Sequence, residues 1–315
     1  MNLEVGRWAL SLLSSNMRQA SLPPELWLET ISFLAAKQCK IELCALSTQS
    51  RHFRALCVPH IFSDFTARID YRGRHRDAEP GLRRCTLWDL ETFLSSNVQI
   101  QESVRCLRIS VWKEGEETWL DQEQHWNPEL VLRILKSLPS LEELHIRDLL
   151  IGTTDMAAPA LQKLGAVDLR RLHIELSRNL APHAYFGPRF RRFRAVPLPW
   201  LHGLMSIFAD VESVVFEDLR GINVTATPDT SAALAWPSNL KTRSLTASED
   251  TPWAMIVKGV SASSSAHLLT SLEVGDDPSF RVMDGVLAAA IRALGPSLTH
   301  LGIWSEALPN SLTCE

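Results

Sequence analysis

The residues with the most obvious chemical capacity lie near the start of the chain. Cys39, Cys44, His52, Cys57 and His60 fall within 22 residues, and thiolates with imidazoles are zinc ligands. Their spacing fits no recognised ligand arrangement. Cys44 is moreover expected on the apolar face of a helix, so the group reads as packed or simply reduced residues with no metal. All six cysteines (those three with Cys85, Cys106 and Cys314) avoid C-x-x-C pairing and any even framework, which suits reduced thiols in an intracellular protein.

Catalytic signatures are missing. The chain holds no G-x-S-x-G, no G-x-x-x-x-G-K-[ST], no G-x-G-x-x-G and no H-E-x-x-H, the patterns that mark a nucleophile elbow, phosphate loops and a zinc protease. The triplet His145, Arg147, Asp148 has a kinase-like look but lies in an apolar strand pattern without the other kinase elements. The expectation is a non-enzyme without cofactor. Two further features could bind something. In the run Arg189 to Arg194, arginine alternates with Phe190 and Phe193, which could grip phosphate or an acidic peptide; it reads as a strand with the rings tucked in and the arginines solvated. Trp112, Trp119 and Trp126 recur every seven residues, on one helix face that either packs or forms a patch. Arg72 to Arg76 reads as a solvated loop.

Composition narrows the class. With 45% apolar and 22% charged residues and a net charge of −4, the chain reads as a globular protein and not as a nucleic-acid binder driven by bulk charge. Residues 195–315 hold 6 Lys/Arg against 13 Asp/Glu, which disfavours acidic partners there. The apolar run Trp8–Leu13 is too short for a signal core, and no run approaches the roughly 18 apolar residues of a membrane span. Cytoplasm and/or nucleus is the expected location.

The elements that must position these residues fall into two kinds. Between Leu22 and Phe62 the pattern gives three short helices. The first starts at Pro23-Pro24, which suit a helix start, and bears Leu26, Trp27, Ile31, Phe33 and Leu34 on a broad apolar face. The second runs through Glu42–Leu46. The third takes Arg51–Val58 and is expected to stop before Pro59. About forty residues cannot bury a good core alone.

From Val104 the pattern changes to seven segments with an apolar–x–x–apolar–x–apolar core. They are Val104/Leu107/Ile109, Leu141/Leu144/Ile146, Leu169/Leu172/Ile174, Val211/Val214/Phe216, Leu240/Arg243/Leu245, Leu269/Leu272/Val274 and Leu298/Leu301/Ile303, at intervals of 37, 28, 42, 29, 29 and 29 residues. Short strands would turn alternate residues inward. Amphipathic helices are expected over 127–138, 199–211 and 282–295, before Gly295-Pro296. Strand–helix units of this period stack as a solenoid, as in leucine-rich repeats. Arg243 stands at a position that should be apolar.

The opening stretch resembles the F-box, and the chain as a whole resembles F-box-like proteins with irregular leucine-rich repeats found in fungi. The matching residues are Leu22 to Glu29, Ile31 to Leu34, Glu42 to Leu46, Ser50 to Leu56 and Pro59 to Phe62. The resemblance implies an α/β chain: extension 1–20, F-box 21–62, a linker with a possible helix 63–100, a degenerate leucine-rich-repeat solenoid 101–305 and a tail 306–315. It further implies a substrate receptor of a cullin–RING ubiquitin ligase. Leu22, Pro23, Pro24, Leu26, Ile31, Leu34, Leu43, Leu46, Phe53 and Pro59 would bind the Skp-family adaptor or complete its interface, and the repeats would hold a protein substrate. Thr30, Thr48 and Gln49 depart from the family pattern, being polar where apolar residues are usual. An F-box scaffold outside ubiquitin ligation, and a zinc-binding or enzymatic protein, are the alternatives.

Overall fold

The computed structural model describes residues 23–69, 85–111, 128–147, 166–175, 198–217, 219, 236–238, 240–248, 253–275 and 291–304. Three helices come first: α1 (Pro24–Ala36), α2 (Lys40–Ser47) and α3 (Arg51–Ile61). Pro24 opens α1, and the amides of Leu26 and Trp27 both reach the Pro23 carbonyl, at 3.0 and 3.3 Å. The helix ends on Gln38, whose φ of 56° is in the left-handed region. That turn lets the Cys39 and Gln38 amides close onto the Leu34 and Ala35 carbonyls, both at 2.9 Å, a Schellman-type stop that glycine normally serves. Helix α3 is capped by Ser50, whose Oγ accepts from the Phe53 amide at 3.1 Å.

The third helix does not stop before Pro59. It continues to Ile61, with the Phe62 amide still bonded to Val58 O at 3.0 Å. Proline removes the amide that would serve the Ala55 carbonyl, but Ala55 and Pro59 are both exposed, where solvent can take that role. Ile31, Leu43, Leu46 and Cys57 form a small core of their own, with Trp27, Leu34, Phe53 and Leu56 packed around it.

Eight strands follow: β1 (Asp64–Ile69), β2 (Cys106–Val111), β3 (Glu143–Arg147), β4 (Val167–Glu175), β5 (Phe208–Glu217), β6 (Lys241–Ala247), β7 (Ser271–Gly275) and β8 (His300–Trp304). All neighbours are parallel, and the order across the sheet is the order in the chain. Helices α4 (Leu87–Ser95), α5 (Val98–Ser103), α6 (Pro128–Lys136), α7 (Leu198–Met205) and α8 (Trp253–Ser261) lie between them, and residues 291–294 are also helical. Leu90, Leu94, Val131, Ile134, Leu201, Leu204, Val257 and Val260 join the inward strand residues in one core. The strands alternate between buried and accessible positions, so helices cover one face of the sheet and the other is open. Parallel sheets wound in both directions bury both faces; here the described crossover helices contribute to a single core.

The register carries two corrections. Across β2 to β8 the inward rows are Leu107, Leu144, Leu172, Val214, Leu245, Leu272, Leu301 and Ile109, Ile146, Ile174, Phe216, Ala247, Val274, Ile303. In β6 the apolar frame is therefore Thr242/Leu245/Ala247, not Leu240/Arg243/Leu245. Val211 pairs with Thr242, and the last three intervals become 31, 27 and 29 residues. Arg243 is exposed and bridges to Asp210 at 3.4 Å. Thr242 is fully buried in the row, and its hydroxyl donates to the Ser244 carbonyl at 3.3 Å. The second correction is β1, which lies inside the stretch 63–100 read as a linker and pairs residue for residue with β2. Phe65 stacks on Phe93 of α4 with centroids 5.8 Å apart. The helix expected over 199–211 is also shorter: β5 begins at Phe208. Helix α8 was not foreseen.

Candidate functional site

Two surfaces gather chemistry. The first is the outside of the three-helix cluster. Here the expected partner-binding residues separate into two groups. Pro23, Pro24 and Pro59 are exposed, and Leu26 is 44% exposed. Ile31, Leu43 and Leu46 are buried in the cluster's own core, and Leu34 and Phe53 are half-buried against it. Phe53 is held edge-on to Trp27 with centroids 4.7 Å apart. Ile31, expected at the contact, is buried where it holds the helices together; a cluster this small needs one apolar side of each helix for itself. Leu22 lies outside the described residues.

Leu28 and Phe33 of α1 and Ile41 of α2 are exposed as well. Leu26 and Phe33 are seven residues apart, which nearly aligns them along the helix. Thr30 lies between them, and its hydroxyl donates back to the Leu26 carbonyl at 2.8 Å. Thr48 likewise bonds the Ala45 carbonyl at 2.7 Å, and the Gln49 amide reaches the same oxygen at 3.5 Å. All three are exposed. The departures from the family pattern therefore place satisfied polar groups on the surface rather than polar groups in the core.

The second surface is the open face of the sheet. One row across it reads Asp64, Cys106, Glu143, Arg171, Ser213, Ser244, Ser271, His300, and the next reads Thr66, Arg108, His145, His173, Val215, Thr246, Glu273, Gly302. Ion pairs lace the rows, Arg108–Asp64 at 2.7 Å and Arg147–Glu175 at 3.2 Å, beside histidine–carboxylate contacts, His173–Glu217 at 2.9 Å and His300–Glu273 at 3.4 Å. His145 packs edge-on to His173 with centroids 4.9 Å apart. Burial, then His173 and Arg108, push the His145 pKa down. Burial, then Asp64, push the Cys106 thiol up to about 11. A protonated thiol is a poor nucleophile.

The cysteines near the start do not converge on a ligand set. Cys57 is buried, Cys44 exposed and Cys39 intermediate; Cys44 is thus off the apolar face of α2, not on it. Among the described residues, the ligand atoms that do converge are Cys106, Glu143, His145 and His173, Glu175, Glu217. His145 and Arg147 lie on β3 as expected. Asp148, the arginine run 189–194, the Arg72–Arg76 run and Trp112, Trp119 and Trp126 lie outside the described residues. No helix among the described residues is long and apolar enough to cross a membrane. No known family model, no curated protein and no solved structure matches the chain.

Proposed function

We propose that the chain is a non-catalytic substrate receptor of a cullin–RING ubiquitin ligase, in which residues 21–62 act as an F-box that docks a Skp-family adaptor and the repeats hold the protein to be modified. The observation that carries this reading is the division of labour in α1. Ile31, Trp27 and Leu34 face the cluster's own core, while Leu26, Leu28 and Phe33 are left outside it. Leu26 and Phe33 share one exposed stripe of this thirteen-residue helix, with Leu28 on the opposite flank; exposed apolar side chains of this size favour coverage by a partner, and the two prolines at the entrance add rigid apolar surface at the Leu26 end.

The sheet supports the second half of the reading. Strands in chain order, with Leu and Ile rows repeated across them, are what stacked strand–helix units produce. Their open face offers alternating charged and polar rows along which an extended surface of a substrate could lie. The chain would perform no transfer chemistry. Its role would be to hold a substrate close to the transferring enzyme, which raises effective concentration.

The test is co-purification of the full chain with a Skp-family adaptor, followed by a substrate pull-down with the proteasome inhibited. Adaptor binding that is lost in a Leu22→Ala/Pro23→Ala/Leu26→Ala variant supports the reading. A wild-type chain that does not bind any adaptor, or a folded variant that binds equally well, overturns it.

A further inference from the structure

The open face of the sheet holds a set of donors that neither a docking helix nor a packed core requires. Asp64, Cys106 and Glu143 are register partners on β1, β2 and β3. Adjacent strands lie about 4.8 Å apart, and register partners point to the same face, so these three side chains form a row. His145 is two residues beyond Glu143 on the same strand and therefore on the same face. The Cys106 sulfur, a Glu143 carboxylate oxygen and a His145 ring nitrogen all lie within 4.8 Å of one another.

Two atoms here are buried without a hydrogen-bond partner: His145 Nε2 and Asp64 Oδ1. Glu143 Oε2 approaches His145 Nε2 only to 3.8 Å, beyond hydrogen-bond range. A buried, unpaired ring nitrogen beside a thiol and a carboxylate is costly in an empty site and is satisfied by a cation.

We propose that Cys106, Glu143 and His145 form a binding site for a zinc-class divalent cation, with the fourth position open to solvent. The donor set combines sulfur, nitrogen and oxygen, as zinc accepts. Bonds of 2.0–2.3 Å in a tetrahedron separate the ligand atoms by roughly 3.4–3.8 Å, so pairs of atoms now within 4.8 Å of one another close by about 1.4 Å at most. The charges nearby favour a cation. The carboxylates of Asp64 and Glu143 stand on either side of Cys106 in the same register row, and their negative charge draws a divalent ion to the sulfur. The competing cations are Arg108, Lys40 and Arg171. Arg108 is paired with Asp64 Oδ2 at 2.7 Å, and Lys40 Nζ donates to the Asp64 carbonyl at 2.9 Å. The neighbouring trio His173, Glu175 and Glu217 differs in that its imidazole is already bonded to Glu217 at 2.9 Å and Glu175 to Arg147 at 3.2 Å.

The site stands apart from adaptor docking, so the two proposals fail separately. The full chain, stripped of metal, is titrated with Co²⁺ alone. The expected result is a near-ultraviolet thiolate-to-cobalt charge-transfer band that saturates at about one equivalent and is competed away by Zn²⁺. Cys106→Ser abolishes the band, Glu143→Gln and His145→Gln each weaken binding at least about tenfold, and Cys44→Ser, which alters an exposed thiol elsewhere, leaves it unchanged. A wild-type chain without the band overturns the proposal, as does a band that survives Cys106→Ser. Glu143→Gln is near-isosteric and half-exposed, so unchanged affinity in that variant overturns it even if Cys106→Ser does not fold.

Discussion

Replacing Leu26 and Phe33 together by alanine separates partner binding from folding. Both lie outside the small core of Ile31, Leu43, Leu46 and Cys57, at 44% and 52% exposure. Full burial of such a side chain stabilises by about 1.5–3 kcal/mol, so covering the half still exposed contributes roughly 0.7–1.5 kcal/mol each. Loss of both weakens adaptor binding by about 1.4–3 kcal/mol, or roughly 10- to 150-fold in Kd. Isothermal titration with a purified Skp-family adaptor reads the affinity, and far-ultraviolet circular dichroism reads the fold, which should match the wild type. Ile31→Ala is the contrast: it opens a cavity in the core at about 2–5 kcal/mol and should melt the cluster. The reasoning is refuted if the folded double variant binds within twofold of the wild type.

Other expectations concern the scaffold. Gln38→Gly relieves a left-handed backbone that costs an L-residue about 1–2 kcal/mol, less the glycine's own entropy loss, for a net gain of about 0.5–1 kcal/mol in thermal melts. Ser50→Ala removes the acceptor at the start of α3 and should cost about 1 kcal/mol by chemical denaturation. Arg243→Ala should change stability by less than about 0.5 kcal/mol because the side chain is exposed, whereas Leu245→Ala should cost about 2–5 kcal/mol. The reverse ranking in urea titrations would mean that the β6 register is wrong.

The sequence carried the elements with strong local signals. Pro23-Pro24 announced α1, and the Leu-x-Ile alternation announced β2, β3, β4 and β8. Strand β1 was missed because Asp-Phe-Thr-Ala-Arg-Ile has only modest apolar positions, and its identity depends on pairing with β2. In β6 two frames compete two residues apart, and Leu240 made the wrong one look regular; only the neighbours' register decides for Thr242. The split between core and surface in the three-helix cluster was half legible. Periodicity marks Ile31 and Leu26 alike as apolar, but which of them faces inward depends on where α2 and α3 pack. The Cys106, Glu143 and His145 cluster was not legible at all, since 37 residues separate its first two members and only strand register brings them together.

Only Phe62 and Ser63 separate the end of α3 from β1. Even that join is fastened, because the Ser63 carbonyl accepts from the Arg105 and Cys106 amides at 2.9 and 2.8 Å. A flexible tether of ten residues would let its two ends wander over roughly 17 Å. Here the helical cluster is fastened to the first strand, so the sheet's open face keeps a set direction relative to α1. If the proposed receptor role holds, a cargo on the sheet would be aimed, as on a bracket, and not merely tethered.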